Sequence, residues 1–230
     1  MLPLVSALFA LLLPAGAATV IYSDRTSFLN QAVAWTVIDF DTTIGPNAFV
    51  NYSDAAGLTE AGVHFVSYRS FPNALTYNLM AGDSMTCCGV SVDGSAALYL
   101  AWSQASIGAQ GVTDISLPSG VTAFGFDLIN NQVSAAYPYQ ITLSDGSIFQ
   151  GMADRTPQFY GFVSDAPISH LRIEMPLPPG SGDQASRLAI DNVVFASSVP
   201  EPSTGAGAAA GMLLCALLGK RSGSRDHRRR

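Results

Sequence analysis

The chain is poor in charge and nearly devoid of lysine. Only 12% of its 230 residues are charged, and Lys220 is its single lysine. Between residues 19 and 199, five arginines stand against fifteen aspartates and glutamates, a net charge of −10, whereas residues 200–230 carry a net charge of +4. Because phosphate neutralisation needs clustered Lys and Arg, this acidic body is not expected to bind nucleic acid.

Cysteine is scarce as well, with three residues in the whole chain. Cys87 and Cys88 are adjacent, and Cys215 lies in an apolar run near the C terminus. Two neighbouring thiols cannot join distant segments, so a disulfide framework is excluded, and no Cys/His spacing indicates a zinc site. We interpret Cys87 and Cys88 as two small thiols, with a strained vicinal disulfide as the alternative.

The apolar run at the N terminus is too short to span a bilayer. Residues 4–13 have the length of a signal-peptide core, and Pro14 ends the run. Residues 15–17 (Ala-Gly-Ala) then provide the pattern of small residues that signal peptidase accepts. The sequence therefore predicts a signal peptide over residues 1–18, cut after Ala17 or Ala18, and an exported protein.

The C-terminal region, residues 199–230, contains three parts in a fixed order. The first is a short motif formed by Val199, Pro200, Glu201, Pro202 and Ser203. The second is an uncharged segment over about 203–219, predicted to be a helix that barely crosses the hydrocarbon core. The third, residues 220–230, is a basic end expected to stay cytoplasmic, and its cations are Lys220, Arg221, Arg225, Arg228, Arg229 and Arg230.

This order of motif, apolar helix and basic end resembles the PEP-CTERM sorting signal. The resemblance covers residues 199–230 and implies recognition by exosortase, an integral-membrane cysteine transpeptidase. It also implies a Gram-negative-type bacterium that makes extracellular polysaccharide. The protein would be anchored transiently in the inner membrane and then reach the cell surface or the extracellular space. The alternative is a plain C-terminal membrane anchor that is never cut.

Residues 19–198 are predicted to form one β-sandwich ectodomain. One short helix is predicted over residues 24–34, with Asp24 or Ser23 as its cap. The other segments are short, rich in β-formers and separated by Gly and Pro, with no βαβ spacing. The predicted fold class is all-β, a jelly-roll-like β-sandwich. Strands are predicted over residues 37–41, 62–68, 96–102, 121–129, 159–163, 168–173 and 188–195, with a hairpin over 139–149 that turns at Asp145-Gly146.

Three aspartates suggest a metal site. Asp39 and Asp41 lie in the first predicted strand after the helix, and Asp191 lies inside the apolar last strand. A carboxylate in an apolar strand is costly unless it is paired or bound to a metal. First and last strands of a jelly roll are commonly neighbours, so these aspartates are predicted to hold a structural Ca²⁺. The pattern resembles calcium-stabilised jelly-roll modules, including carbohydrate-binding modules. The alternative is that the aspartates cap strand ends and accept hydrogen bonds from backbone amides.

No group of residues has the spacing of a catalytic constellation. His64 and His170 lie on predicted strands without a third partner. Tyr137, Tyr139 and Tyr160 are interpreted as packing residues, with stacking on sugar rings as the alternative.

The sequence therefore predicts a non-enzymatic surface or matrix protein associated with exopolysaccharide, by adhesion or carbohydrate binding. No cofactor is required beyond the predicted calcium. The alternative function is a secreted hydrolase that acts on polysaccharide through Asp39, Asp41, Asp127 and Asp191.

Overall fold

The computed structural model describes residues 18–41, 49–52, 56–69, 79–83, 93–104, 110–130, 136–177 and 185–197. The chain divides into two units, Met1–Val199 and Pro200–Arg230, and the second unit lies wholly outside the described residues. Residues 1–17 of the predicted signal peptide, the adjacent cysteines and the predicted sorting tail are also outside them. The described part contains no helix with the length and hydropathy of a membrane span.

The described elements are short strands and one helix. In chain order they are β1 Thr19–Tyr22, α1 Arg25–Leu29, β2 Thr36–Ile38, β3 Phe49–Tyr52, β4 Leu58–Glu60, β5 Val63–Arg69, β6 Leu79–Asp83, β7 Ala96–Gln104, β8 Gly111–Ser116, β9 Ala123–Asn130, β10 Tyr137–Leu143, β11 Ile148–Ala153, β12 Gln158–Ser164, β13 His170–Met175 and β14 Ala185–Ala196.

These strands form two antiparallel sheets. The eight-stranded sheet has the order β1-β12-β9-β14-β7-β6-β3, and β2 also pairs with β14. The six-stranded sheet has the order β11-β10-β13-β8-β5-β4. A single hydrophobic cluster draws buried residues from both sheets and fills the space between them. The predicted all-β class with little helix is confirmed.

Alternating side chains explain why these segments bury one face. In β5, Val63, Phe65 and Ser67 are buried, whereas His64 and Tyr68 on the opposite face are half-exposed. The sequence alternation over residues 63–68 predicts these two faces, and their burial confirms them. Residues 96–101 of β7 are buried on both faces, as their continuous apolar sequence predicts.

The tyrosines that could have stacked on sugar rings lie in the core. Tyr137 and Tyr139 are each 3% exposed, and burial raises the pKa of both phenols. Tyr160 is half-buried, and its ring centroid lies 5.6 Å from that of Tyr139. The packing interpretation is confirmed, and the stacking alternative is wrong for Tyr137 and Tyr139 because a ligand cannot reach them.

Helix α1 begins where the sequence predicts and ends earlier. The Asp24 carboxylate accepts a hydrogen bond from the Ser27 backbone N–H at 2.7 Å, which confirms the cap. The helix ends at Leu29 instead of residue 34. Val33, which would extend the apolar stripe, is 90% exposed, so a longer helix would bury no further apolar surface.

The predicted hairpin is present with a longer connection. Strands β10 and β11 pair from Thr142↔Ile148 outward, and residues 144–147 connect them. Gly146 has a φ of 85°, and the Asp145 carboxylate accepts a hydrogen bond from the Ser147 N–H at 2.8 Å. The turn therefore forms at the predicted dipeptide but contains four residues.

Candidate functional site

Strand β14 changes its neighbour in the middle of the eight-stranded sheet. Up to Ile190 it pairs with β7, and from Val193 onward it pairs with β2. Its register against β9 shifts between Asp191 and Val194, which marks a bulge. Asn192 in this bulge has a φ of 50°, which Asn tolerates better than most residues. The bulge contains the polar residues Asp191 and Asn192, which lie between the part of β14 that pairs with β7 and the part that pairs with β2.

Asp191 is fully buried at this bulge. Its carboxylate accepts hydrogen bonds from the Asn192 backbone N–H at 2.6 Å and from the Ser95 hydroxyl at 2.9 Å. The Ser95 hydroxyl is also in hydrogen-bond contact with the Asp93 carboxylate. One hydroxyl has one proton and cannot donate to both carboxylates. A protonated Asp191 would resolve this, since it can donate to Ser95 while Ser95 donates to Asp93.

The pKa shifts of Asp191 and Asp93 also favour a protonated Asp191. Burial, helped by the negative charges of Asp93 and Asp41, raises the pKa of Asp191 to about 7. The hydrogen bond from the Ser95 hydroxyl holds the pKa of Asp93 below its usual range. Asp93 therefore carries the negative charge at mildly acidic pH, and Asp191 is the carboxyl that keeps its proton.

The carboxylates of Asp39 and Asp41 accept hydrogen bonds in different parts of the structure. The Asp41 carboxylate accepts a hydrogen bond from the Ala96 backbone N–H at 2.8 Å, which brings it to the start of β7. Asp39 is exposed and accepts a hydrogen bond from the Asp41 N–H at 3.2 Å. Between them, Phe40 has a φ of 58° and a fully buried side chain, which fixes the course of this turn. The structure brings Asp41 towards Asp191, and Asp39 caps the local turn.

Asp127 on β9 is the fourth carboxylate of this region and has a cationic partner. It accepts hydrogen bonds from the Arg25 guanidinium at 2.9 Å and from the Asn192 side-chain amide at 3.1 Å. The guanidinium also donates to the Asn192 carbonyl at 3.0 Å and lies 4.5 Å from the centroid of the Phe159 ring. Arg25 thus ties α1 to the sheet.

The calcium prediction stays a prediction. Within the described ranges, no three residues among His, Cys, Asp and Glu are placed so that they could hold a metal ion. A cation bound to Asp191 would have to replace the hydrogen bond from Ser95. The sequence alone did not identify Asp93 as a member of this site. Its position just before β7, a strand buried on both faces, could have indicated it.

A second polar region covers the outer face of the six-stranded sheet. Side chains at alternating positions of five adjacent strands point away from the core there. Six of them form a connected surface, which we call the polar face: Tyr68, Asp114, Gln140, Gln150, Arg172 and Glu174. All six are half-exposed or exposed, so solvent reaches each of them.

Arg172 on β13 is the centre of the polar face. Its guanidinium makes two hydrogen bonds to the Asp114 carboxylate, at 2.8 and 3.0 Å, and donates to the Tyr68 hydroxyl at 2.7 Å. The Tyr68 hydroxyl in turn donates to Asp114 at 3.0 Å. The hydrogen bonds from Arg172 to Asp114 raise the pKa of the guanidinium further. Three strands thereby hold these side chains in one arrangement.

A ladder of amides continues the polar face towards the edge of the sheet. The Gln150 amide donates to the Gln140 carbonyl oxygen at 2.8 Å, and the Gln140 amide lies 3.4 Å from the Glu174 carboxylate. These residues are directly opposite one another on β11, β10 and β13. Direct cross-strand pairing is the reason that their side chains meet.

The two histidines that the sequence places on strands lie beside the polar face. His64 and His170 both pair with Ser116, from opposite sides. The Thr59 hydroxyl and His64 Nδ1 are 2.8 Å apart. The structure therefore places both histidines on one surface, two residues along the strands from the Arg172–Asp114 pair, although the sequence offered no third partner for them.

Helix α1 covers part of the outer face of the eight-stranded sheet, over β12 and β9. Phe28 is fully buried and packs on β12 and β9 with Tyr22, Trp35 and Phe159, at ring-centroid distances of 5.9, 4.7 and 5.3 Å. Glycines at positions 125 and 161 leave room for this ring. The polar face, by contrast, has six polar side chains that solvent reaches.

Comparisons with known proteins give only distant likenesses. No protein-family model matches the chain, and no curated protein matches it. A mutant of a family 29 carbohydrate-binding module is 14% identical, with coverage of 72% of this chain and 94% of that chain and a TM-score of 0.34. The K2 cleaved adhesin domain of Lys-gingipain is 11% identical, with coverage of 71% and 99% and a TM-score of 0.39. The family 11 carbohydrate-binding module of a cellulosomal cellulase of Clostridium thermocellum is 13% identical, with coverage of 74% and 99% and a TM-score of 0.29. Likenesses this distant do not establish a family or a function for this chain.

Proposed function

We propose that the chain is an exported, non-enzymatic surface or matrix protein that binds polysaccharide through its polar face. The observation that carries this proposal is the polar face itself. It is a solvent-accessible surface across five strands, and its side chains are already held in place by hydrogen bonds to one another.

Sugar hydroxyls both donate and accept hydrogen bonds, and the polar face offers groups of both kinds. Gln140 and Gln150 have amide donors and carbonyl acceptors, Arg172 has donors in a fixed plane, and Glu174 has a carboxylate acceptor. Side chains that are ordered before binding lose less conformational entropy when a ligand arrives. These properties favour recognition of a hydroxyl-rich ligand on this sheet.

Export and sorting are part of the same proposal. Signal peptidase would remove residues 1–18, and an exosortase-type transpeptidase would process the tail at residues 199–203. The inner membrane would be a transient location, followed by the cell surface or the extracellular matrix. Jelly-roll connectivity and a structural Ca²⁺ near Asp41 and Asp191 also belong to the proposal.

Affinity electrophoresis tests polysaccharide binding directly. The ectodomain is run in native gels that contain exopolysaccharide from the producing cells or one of a set of purified plant and bacterial polysaccharides. Retardation by at least one polymer is expected, and Gln140→Ala should reduce it. Gln31→Ala on the helix side is the matched control and should leave it unchanged. Absence of retardation by every polymer would contradict the proposal.

The hydrolase alternative has weaker support. Asp191 has no exposed surface, so it cannot donate a proton to a bound substrate. Asp127 is engaged by Arg25 and Asn192. Asp127 and Asp191 are therefore better suited to holding the strands and α1 together than to catalysis.

A further inference from the structure

We infer that the polar face takes an uncharged polysaccharide, in preference to an acidic or a basic one. This inference rests on the proposed function and specifies its ligand. The basis is the number and the state of the charged groups on the polar face, compared with its uncharged hydrogen-bonding groups.

The polar face contains one cation and two anions. Arg172 is the cation, and Asp114 and Glu174 are the anions. Arg172 and Asp114 neutralise one another through two parallel hydrogen bonds, which is the strongest geometry for a guanidinium and a carboxylate. Among the described residues, Glu174 forms no ion pair. It accepts a hydrogen bond from the uncharged Gln140 amide at 3.4 Å, and its negative charge also helps to raise the pKa of Arg172, with which it makes no direct contact.

An acidic polysaccharide is disfavoured by this arrangement. The only guanidinium of the polar face already has its carboxylate, so a ligand carboxylate would have to displace Asp114 to reach it. The ligand would also meet the negative charge of Glu174, and like charges near a protein surface repel one another. The net charge of −10 over residues 19–199 adds repulsion at longer range.

The net charge of −10 over residues 19–199 attracts a basic polysaccharide at long range, but the polar face itself offers it few partners. Such a polymer carries repeated positive charges along its length, and the polar face has a single carboxylate that is not already paired. The remaining groups of the ladder are the uncharged amides of Gln140 and Gln150. The row from Gln150 to Tyr68 crosses five strands, which is roughly 19 Å at a strand spacing of about 4.8 Å. A surface of this length fits several linked sugars better than one.

The test compares three kinds of polymer at pH 8, above the ordinary titration range of histidine. The ectodomain is run in native gels with neutral mixed-linkage β-glucan, galactomannan or dextran, with acidic alginate, and with N,N,N-trimethyl chitosan, whose quaternary amines stay charged at this pH. All gels contain EDTA, and the neutral polymers are also run with CaCl2, which would gel alginate. At least one neutral polymer should retard the protein with and without calcium, and in EDTA more than alginate and trimethyl chitosan do. Loss of one hydrogen bond in Gln140→Ala should weaken neutral binding about five- to tenfold.

Glu174→Gln isolates the role of charge, because it keeps the size and the hydrogen-bonding groups of the side chain. It should increase retardation by alginate relative to the wild type, whereas Gln31→Ala should not. Stronger retention by alginate or trimethyl chitosan than by every neutral polymer would overturn the inference and leave polysaccharide binding intact. Absence of retardation by any polymer would instead overturn the proposed function, so the two failures are distinguishable.

Discussion

Asp127 and Asp191 are direct cross-strand partners on β9 and β14, and their carboxylates are stabilised in different ways. Asp127 is paired with the Arg25 guanidinium at 2.9 Å. Asp191 has no exposed surface and is hydrogen-bonded to Ser95 and the Asn192 backbone. One carboxylate of the pair therefore has a cationic partner, and the other is buried without one.

The first prediction concerns the pH dependence of stability. Burial raises the pKa of Asp191 in the folded state from 3.8 to about 7, so the folded state favours the protonated acid. This contribution to stability is fully present below about pH 4 and is lost as the pH rises through about 7. Without a bound cation, Asp191→Asn should be more stable than the wild type at pH 8 by about 2–4 kcal/mol.

Urea unfolding at pH 4 and pH 8 measures this difference. At pH 4 the advantage of Asp191→Asn should shrink to less than about 1 kcal/mol, because the wild-type carboxyl is then protonated. Asp165→Asn, at an exposed position, is the matched control. Equal stability of the wild type and Asp191→Asn at both pH values would contradict a buried, protonated Asp191.

The second prediction concerns calcium. If Ca²⁺ binds near Asp41 and Asp191, it binds the folded state, and a concentration of 100 times Kd stabilises that state by about 2.7 kcal/mol. The melting temperature of the wild type should then be higher in CaCl2 than in EDTA. Asp191→Asn should abolish this rise. Identical melting curves in the two buffers would rule out the predicted site.

The third prediction concerns the packing of α1 on the sheet. A Cβ atom on Gly161 would lie 2.5 Å from the Phe28 ring, which is closer than atoms can approach. Gly161→Ala should therefore lower the free energy of unfolding by about 1–3 kcal/mol, the usual cost of overpacking. Phe28→Leu should reduce this cost in the double mutant, and thermal unfolding of the four proteins measures the coupling. Simple additivity of the two changes would show that the ring is not the obstacle.

The fourth prediction separates binding from stability at Arg172. The side chains of Arg172 and Asp114 are 43% and 30% exposed, and ion pairs so close to solvent contribute about 0–1 kcal/mol. Arg172→Met should change the unfolding free energy by no more than about 1 kcal/mol but weaken polysaccharide retardation strongly. Arg155→Met, at an exposed arginine, should change neither quantity. Unchanged retardation in Arg172→Met would remove the centre of the polar face from the binding site.

The fifth prediction concerns processing. Intact-mass analysis of the protein from its native host should show an N terminus at Ala18 or Thr19 and loss of the tail after residues 199–203. A chain that keeps residues 204–230 would support the plain membrane anchor. Replacement of Pro200 and Pro202 by Ala should prevent tail cleavage without affecting removal of residues 1–18.

Much of the fold could be predicted from local pattern. The alternation in β5, the uninterrupted apolar residues of β7 and the Asp24 cap are properties of neighbouring residues, and each is confirmed. The length of α1 could not be predicted in this way. It depends on which residues after Leu29 pack against the rest of the protein, and Val33 is 90% exposed.

The candidate site also contains features that the sequence shows and features that only the tertiary structure shows. The sequence by itself marked Asp191 as a carboxylate in an apolar strand, and the charge pattern alone separated an acidic body from a basic tail. Only the tertiary structure decided that Asp93 joins Asp191, and that Arg172, Asp114 and Tyr68 meet on one surface. These residues are tens of positions apart, and strand order and register bring them together. A local hydrophobic pattern fixes which face of a strand is buried, but it does not say which distant strand becomes the neighbour, and that pairing is decided by the sheet as a whole.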